Sequence, residues 1–219
     1  MAQNRQIGLE SLIERGIATL KSGGLVAYPT DTVYGLGASM LIPEAVRRIF
    51  EVKRRPRNMA LPLLLANVSQ IDEVAVSIPP LARFLAEKFL PGALTLVLYK
   101  AESVSDVITA GSPKVAVRVP DHPVPLALIS GLGAPITGTS ANLSGQPSPL
   151  TAGEAASQLG GTVDLIIDGG RVPGGIESTV VDVTEKVPLI LRAGAISKKR
   201  LEQACASAGL KVKFTLRKS

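Results

Sequence analysis

The sequence predicts an α/β (α+β) fold, a single domain with a large mixed β-sheet. Short apolar segments rich in β-branched residues alternate with segments of helical periodicity over most of the chain. The 219 residues can bury one generous core. Because neither a Pro/Ser-rich linker nor an internal repeat is visible, we expect one domain rather than two small ones.

Helical periodicity predicts five or six helices. The first ends at a pair of glycines, and the second begins at Pro43 and is expected to end at Pro56. Thr151 and Ser197 are predicted N-caps, since their hydroxyls can accept from the free N–H groups of a helix start. The segments are 9–21, 43–53, 79–92, 123–133, 151–160 and 197–210.

Strand-like segments predict seven or eight strands. In "KVAVRVP" the valines at 115, 117 and 119 share one face, which leaves Arg118 on the other. Residues 211–219, "KVKFTLRKS", are predicted to be a solvated basic tail, with a short edge strand as the alternative. The count is taken from nine strand-like segments, of which one or two are expected not to pair: 25–28, 33–38, 61–66, 93–100, 114–120, 134–136, 163–168, 178–183 and 188–192.

Composition limits the class of protein. Apolar residues make up 46% and charged residues 19%, and no run reaches the ~20 apolar residues of a membrane span. The first residues lack the apolar core of a secretory signal, so we expect a cytoplasmic protein without membrane contact. With one cysteine, Cys205, and one histidine, His122, neither an internal disulfide nor a zinc cluster is expected, and no metal ligand is predicted.

The net charge of +6 favours anionic partners, such as nucleotides, phosphates or RNA. Single-stranded nucleic acid is commonly held on aromatic side chains, and this chain has three Tyr, four Phe and no Trp. The aromatic count weakens the RNA-binding interpretation. A non-catalytic RNA-binding accessory protein nevertheless stays the alternative to an enzyme.

The segment "TGTSANLSG", residues 137–145, gathers hydroxyl and amide side chains. A serine nucleophile would need Gly-x-Ser-x-Gly, but Asn142 occupies the last position. The lone histidine, His122, precedes the serine rather than following it, and we interpret it as a turn residue. Two interpretations stay open, a plain turn and a set of hydrogen-bond donors for a ligand.

The basic run "VKRRPR" is either a solvated helix end or a rigid clamp for phosphate. Standard nucleotide fingerprints are absent from the sequence, so a nucleotide site would be assembled from scattered cations and neutral donors at strand ends. The candidates are Lys53, Arg55, Arg118 and Arg192 as cations, and Thr32, Ser140, Asn142 and Ser178 as neutral donors.

Six segments, in order and spacing, resemble the YrdC-like family of threonylcarbamoyl-AMP synthases. They are "YPTDTVYGLG", "KRRPRNMALP", "VAVRVPDHP", "TSANLSGQPSP", "ESTVVDVT" and "ILRAGAI". The similarity covers residues 23–196, so residues 1–210 are expected to form the synthase domain and 211–219 the basic tail.

This resemblance implies a nucleotidyltransferase. Such an enzyme condenses L-threonine, bicarbonate or carbon dioxide, and ATP into threonylcarbamoyl-AMP and pyrophosphate, for the threonylcarbamoyladenosine modification of tRNA. The implied fold is a twisted mixed sheet flanked by helices around a basic cavity. The implied partner is a downstream threonylcarbamoyl transferase, with tRNA itself as a further candidate.

The resemblance also assigns roles to the candidate residues. Lys53 and Arg55 would be catalytic by neutralising the leaving pyrophosphate, and Mg²⁺ would arrive with ATP without a protein ligand. The implied nucleotide ligands are Lys53, Arg55, Ser140, Asn142 and Arg192, and the implied threonine ligands are Thr32, Arg118 and Ser178.

This chain departs from the family pattern at three places. Met59 and Ala60 replace a polar residue and a proline, Leu64 replaces a histidine found in some relatives, and "LRAG" replaces "LRPG". We expect loop rigidity and local substrate contacts to differ there.

Overall fold

A computed structural model describes residues 2–217, with side chains described from residue 8 onward. This part of the chain contains eight α-helices, one short 3₁₀-helix (Val68–Gln70) and twelve strands. The helices are α1 Ala2–Lys21, α2 Pro43–Lys53, α3 Ile71–Val74, α4 Pro80–Phe89, α5 Asp106–Thr109, α6 Pro123–Leu132, α7 Ala152–Leu159 and α8 Lys198–Ser207. The strands are β1 Val26–Tyr28, β2 Gly35–Gly37, β3 Leu63–Leu64, β4 Ala75–Val76, β5 Leu94–Lys100, β6 Lys114–Arg118, β7 Ile136–Thr137, β8 Thr139–Ser140, β9 Leu165–Ile166, β10 Thr179–Asp182, β11 Leu189–Arg192 and β12 Thr215–Leu216.

The mixed α/β class and the large mixed sheet are confirmed, and four of the strands form a second, smaller sheet. A small sheet has the order β8-β2-β1-β9, and a large one has the order β12-β11-β10-β5-β6-β3-β7, with β4 paired to β5. Both sheets are mixed: β5, for example, is parallel to β10 and antiparallel to β6. The predicted element counts were too low because the additional elements are only two to four residues long.

The division of the sheets occurs at Gly138. Thr137 is the last residue of β7 in the large sheet, and Thr139 is the first residue of β8 in the small one. A side chain at Gly138 would overlap the buried Leu64, so this corner has space only for glycine. The segment 137–145 therefore joins the two sheets, which the sequence pattern did not indicate.

The hydrophobic core follows the predicted periodicity. The valines of β6 and of the following residue, Val115, Val117 and Val119, are at most 1% exposed, which confirms the predicted face. Thr151 and Ser197 accept hydrogen bonds from the backbone N–H groups of Glu154 and Arg200, so both predicted N-caps are confirmed. Helix α1 packs on α6 and adds a second apolar cluster beside the small sheet.

Helix α2 ends at Lys53, the last residue of the predicted segment and three residues before Pro56. Arg54 adopts the left-handed conformation (φ 51°), and its N–H bonds to the carbonyl of Glu51. Pro56 disfavours helical geometry at Arg55, so the chain leaves the helix at Lys53. The last residue of the helix is consequently fixed in position by the turn that follows.

Within the predicted tail 211–219, residues Thr215–Leu216 form a short edge strand. β12 pairs in parallel with β11, and Phe214 beside it is 1% exposed. The edge-strand alternative is therefore the correct one for residues 215–216, which follow an aromatic side chain anchored in the core. Residues 218 and 219 lie outside the described residues.

Between residues 2 and 217, no helix combines the length and apolarity needed to cross a bilayer.

Candidate active site

A cavity of about 680 Å³ opens at the corner between the two sheets. All eight residues nominated from the sequence line it, although they come from positions spread over 160 residues of chain. They are Thr32, Lys53, Arg55, Arg118, Ser140, Asn142, Ser178 and Arg192. A second cavity of about 400 Å³ adjoins the first along the large sheet and shares Arg55, Arg118, Ser178 and Arg192 with it.

Lys53 is buried at the end of α2 and is 1% exposed. The Nζ of Lys53 donates to the backbone carbonyls of Ser140 and Asn142. In return, the backbone N–H of Ser144 donates to the carbonyl of Lys53 at 2.9 Å. Burial, together with the charge of Arg55, lowers the pKa of Lys53 from 10.5 to about 8. Lys53 therefore fastens the 137–145 segment to α2 as well as placing a cation at the cavity wall.

Asn142 organises the same segment from within. Its Nδ2 donates to the carbonyls of Leu143 at 2.9 Å and Gln146 at 2.6 Å, and the residue is 5% exposed. Both amide hydrogens of Asn142 are thus used inside the loop. Ser140, by contrast, is half-buried at the cavity wall, where its hydroxyl is the more accessible donor.

Arg55 crosses the mouth of the cavity. Its guanidinium donates to the carbonyls of Met59 at 3.1 Å and Ala60 at 2.9 Å. These bonds use backbone oxygens, so the departure from the family pattern at 59–60 leaves them intact. Burial and then the charge of Arg192 lower the pKa of Arg55, because two neighbouring cations repel each other.

Arg118 projects into the cavity from the face of β6 opposite the buried valines, as predicted. It donates to Gly92 O at 3.0 Å, Thr32 Oγ1 at 3.1 Å and Asp31 Oδ1 at 2.6 Å. Since a guanidinium has five N–H donors, two stay without a partner among the described residues and can bind a ligand carboxylate. Asp31, which the sequence reasoning missed, is the residue that fixes the orientation of Arg118.

Two further hydroxyl pairs complete the buried side of the cavity. Thr32 Oγ1 lies 3.1 Å from Thr30 Oγ1, and Ser178 Oγ lies 2.8 Å from Thr95 Oγ1. Thr32 and Ser178 are 3% and 4% exposed. We call Thr32, Arg118 and Ser178 the inner wall. Thr30 and Thr95 escaped prediction because an isolated threonine in a turn or strand carries no distinctive signal.

Arg192 and Glu177 form the more open side of the cavity, next to Ser178. Arg192 pairs with Glu177 and also donates to the carbonyl of Ser178, at 3.0 and 3.1 Å from Nη2 and Nε. The side chains of Arg192 and Glu177 are 46% and 37% exposed. We call Arg55, Glu177 and Arg192 the outer wall. Glu177 was not predicted because a carboxylate is not a residue type that an anion-binding site is expected to contain.

Other reactive side chains lie elsewhere. His122 is the N-cap of α6, and its Nδ1 accepts from the N–H of Val124 at 3.2 Å, so the predicted turn residue is a helix cap. Burial lowers the pKa of His122. Cys205 is buried in the apolar core. Over residues 2–217, no group of three or more metal-ligating side chains is present.

The cavity therefore combines fixed positive charge with hydroxyl groups. Lys53, Arg55 and Arg192 can neutralise phosphate oxygens, and Arg118 can pair with a carboxylate between two hydroxyl-bearing residues. Such an arrangement can orient two anionic reactants and stabilise a leaving anion, but it offers no activated nucleophile of its own.

Comparison with known proteins agrees with this geometry. The profile of the Sua5–YciO–YrdC family, described as "telomere recombination", matches residues 18–194. The threonylcarbamoyl-AMP synthase of Pyrococcus abyssi is 47% identical over 184 residues, and that of Bacillus subtilis is 44% identical over 191 residues. These alignments cover 84% and 87% of this chain, but 54% and 55% of the relatives.

The fold is shared as well. The crystal structure of P. abyssi Sua5 complexed with L-threonine superposes with a TM-score of 0.87 and 44% identity, covering 92% of this chain and 58% of that one. This chain thus spans about half the length of the curated relatives it matches. From the profile match, the sequence identities and the shared fold, the chain is a member of the Sua5–YciO–YrdC family.

Proposed function

We propose that this chain is an L-threonylcarbamoyladenylate synthase, a nucleotidyltransferase that makes threonylcarbamoyl-AMP and pyrophosphate from L-threonine, bicarbonate or carbon dioxide, and ATP. One observation supports this most directly: a single cavity gathers an arginine with free N–H donors for a carboxylate, several hydroxyl groups and four further cations. Relatives with 44–47% identity bear the name threonylcarbamoyl-AMP synthase, and a homologous structure contains L-threonine.

The inner wall is the proposed site for threonine. The two remaining N–H groups of Arg118 would take the α-carboxylate, and the hydroxyls of Thr32 and Ser178 would contact the polar groups of the amino acid. A carboxylate held in this way leaves the amine able to attack carbon dioxide or bicarbonate. As the N–C bond of the carbamate forms, one N–H bond of the neutral amine breaks. With carbon dioxide that proton is released to solvent, and with bicarbonate it leaves with the displaced hydroxide as water.

The outer wall, with Lys53 and the Ser140 hydroxyl, is the proposed site for ATP. The carbamate oxygen would form a bond to the α-phosphorus while the bond between the α-phosphorus and the bridging oxygen breaks, releasing pyrophosphate. Arg55 and Arg192 would stabilise the charge of the departing group. Because the carbamate hydrolyses in water, holding both reactants in one cavity shortens its exposure.

Mg²⁺ fits this cavity as a companion of ATP and not as a resident ion. Magnesium in phosphate sites is commonly held by one or two carboxylates together with substrate oxygens. Glu177 is the carboxylate available here, and it is already paired with Arg192. We therefore keep Mg²⁺ as a cofactor bound to the triphosphate, which screens its charge.

The product belongs to the threonylcarbamoyladenosine modification of tRNA, which places the reaction in the cytoplasm, where ATP and tRNA are present. A threonylcarbamoyl transferase is the proposed downstream partner, because the mixed anhydride is labile and must be passed on rapidly. Direct contact with tRNA is a further part of this proposal, since the cavity is basic.

The direct test is formation of pyrophosphate from L-threonine, bicarbonate and Mg-ATP, with mass spectrometry of the nucleotide product. The proposal expects pyrophosphate release that requires threonine and a product with the mass of threonylcarbamoyl-AMP. Reactions lacking threonine or bicarbonate are the controls. Absence of threonine-dependent pyrophosphate, together with steeply salt-dependent tRNA binding, would instead indicate the RNA-binding accessory protein.

A further inference from the structure

Glu177 is an unusual charge for a cavity that is otherwise basic. Among residues 2–217, the side chains that line the cavity include one acid, Glu177, and five cations. The cations are Lys53, Arg54, Arg55, Arg118 and Arg192. A carboxylate at this place opposes the binding of a polyanion, so we expect a benefit that offsets this repulsion.

The carboxylate of Glu177 is held inside the mouth of the cavity. Oε2 pairs with Nη1 of Arg192, and Oε1 accepts from Ser148 Oγ at 3.0 Å. Burial lowers the pKa values of Lys53 and Arg55, and the charge of Glu177 acts on both in the opposite direction. Glu177 is therefore within electrostatic reach of the cations that are proposed to meet the triphosphate.

We infer that Glu177 makes nucleotide binding depend on a divalent cation, by repelling free ATP more strongly than Mg-ATP. This inference rests on the proposed function, because it takes ATP as the ligand of the outer wall. Mg²⁺ across the phosphates cancels about two of their negative charges. The repulsion from one fixed carboxylate is proportional to the remaining charge, so it discriminates between the two forms without coordinating the cation.

Isothermal titration calorimetry of ATP tests this inference on the intact chain. The dissociation constant is measured with excess Mg²⁺ and with EDTA, for the wild type and for Glu177→Gln. The glutamine has nearly the same size and keeps an oxygen that can accept from Ser148 or Arg192. We expect the ratio of the two dissociation constants, EDTA over Mg²⁺, to fall by at least about tenfold, through tighter binding of free ATP.

Two variants serve as matched controls. Glu177→Asp keeps the charge and is expected to keep a strong preference for Mg-ATP. Glu44→Gln removes a carboxylate that also pairs with an arginine, Arg47 at 2.9 Å, but on the exposed first turn of α2. It is expected to leave the ratio unchanged, which separates a local effect from a change in net charge.

Three outcomes would overturn the inference. Circular dichroism first checks that Glu177→Gln is folded like the wild type. An unchanged ratio of dissociation constants in that variant would then mean that the carboxylate does not discriminate between free ATP and Mg-ATP. Weaker binding of Mg-ATP with unchanged binding of free ATP would mean that Glu177 is a ligand of the cation and not a repelling charge. If the wild type binds ATP in neither condition, the proposed function fails as well, and the two failures are thus distinguishable.

Discussion

The inner and outer walls of the cavity are built on opposite principles. Arg118 in the inner wall is 8% exposed and makes three hydrogen bonds, one of them to a carboxylate. Arg192 in the outer wall has a side chain that is 46% exposed, although it too is paired with a carboxylate. An arginine–carboxylate pair is thus part of the folded core in the inner wall. In the outer wall such a pair is open to solvent and can be replaced by a contact with a ligand. A small, invariant substrate suits the first, and a polyanion that arrives with a cation suits the second.

Arg118→Ala is expected to cause the largest loss of stability, because it leaves the Asp31 carboxylate, whose side chain is only 16% exposed, without its cationic partner. We expect the free energy of unfolding to fall by about 3 kcal/mol, with loss of threonine binding. Urea unfolding and calorimetry with threonine measure the two effects. The matched control is Arg83→Ala, which breaks an exposed pair with Asp72 and should cost much less.

The double variant Asp31→Ala, Arg118→Ala sharpens this prediction. Since neither charge is then left unpaired, it should be more stable than Arg118→Ala alone. Equal stability of the double and the single variant would show that an unpaired charge on Asp31 is not the source of the loss. The inner-wall ion pair would then be no more important for folding than the outer-wall pair.

Lys53→Met is expected to have the next largest effect. It leaves the carbonyls of Ser140 and Asn142 without their donor, which should cost about 2 kcal/mol at pH 7. The 137–145 segment should then exchange its amide hydrogens faster, and hydrogen exchange measures this directly. Unchanged exchange there would contradict the fastening role.

The pKa of Lys53 adds a dependence on pH. The folded value of about 8 is below the ordinary value of 10.5, so between these values the unfolded chain holds a proton that the folded chain lacks. Stability from this group therefore rises as the pH increases from about 8 to about 10.5, and below pH 8 its contribution is at its minimum. Urea unfolding at pH 7.5 and pH 10 should show this gain in the wild type relative to Lys53→Met.

Thr95→Val tests a neutral contact that supports the inner wall from behind Ser178. The change keeps the shape of the side chain but removes the hydroxyl that meets Ser178 Oγ at 2.8 Å. A loss of about 1 kcal/mol in stability and a several-fold weaker affinity for threonine are expected. ATP affinity should stay the same, and an equal loss for both ligands would contradict the separation of the two walls.

Arg192→Ala is expected to have the smallest effect on folding. Its exposed pair with Glu177 should contribute no more than about 0.5 kcal/mol to stability. The affinity for Mg-ATP should nevertheless fall by about tenfold, since one charge-assisted contact to phosphate is lost. If calorimetry shows that threonine binding falls instead, the assignment of the outer wall to the nucleotide is wrong.

Several features of the site could be predicted because they repeat along one element. The alternation in β6 separates Arg118 from the core valines, and the hydroxyl caps at Thr151 and Ser197 precede helical segments. The motifs at 53–55, 140–142 and 192 predicted a shared location, and the structure brings all of them to one cavity. Which ligand each of them contacts stays a prediction.

The missed features depend on residues far apart in sequence. Asp31 and Arg118 are 87 positions apart, and a carboxylate next to a threonine in a turn gives no sign of its distant partner. The division into two sheets was missed because β7 and β8 are two residues long, which is too short to show any period. The structure shows that the side chain of Leu64 leaves space only for glycine at position 138, where the chain passes from one sheet to the other.

That corner also has a thermodynamic consequence. The cavity spans the joint between the sheets, so a ligand that touches Ser140 in the small sheet and Arg118 in the large one bridges two halves of the core. Its binding free energy is added to the native state as a whole, and saturation raises the midpoint of a single melting transition. Bound substrate would therefore stabilise both sheets together, and proteolysis of either sheet should slow down by the same factor when the cavity is filled.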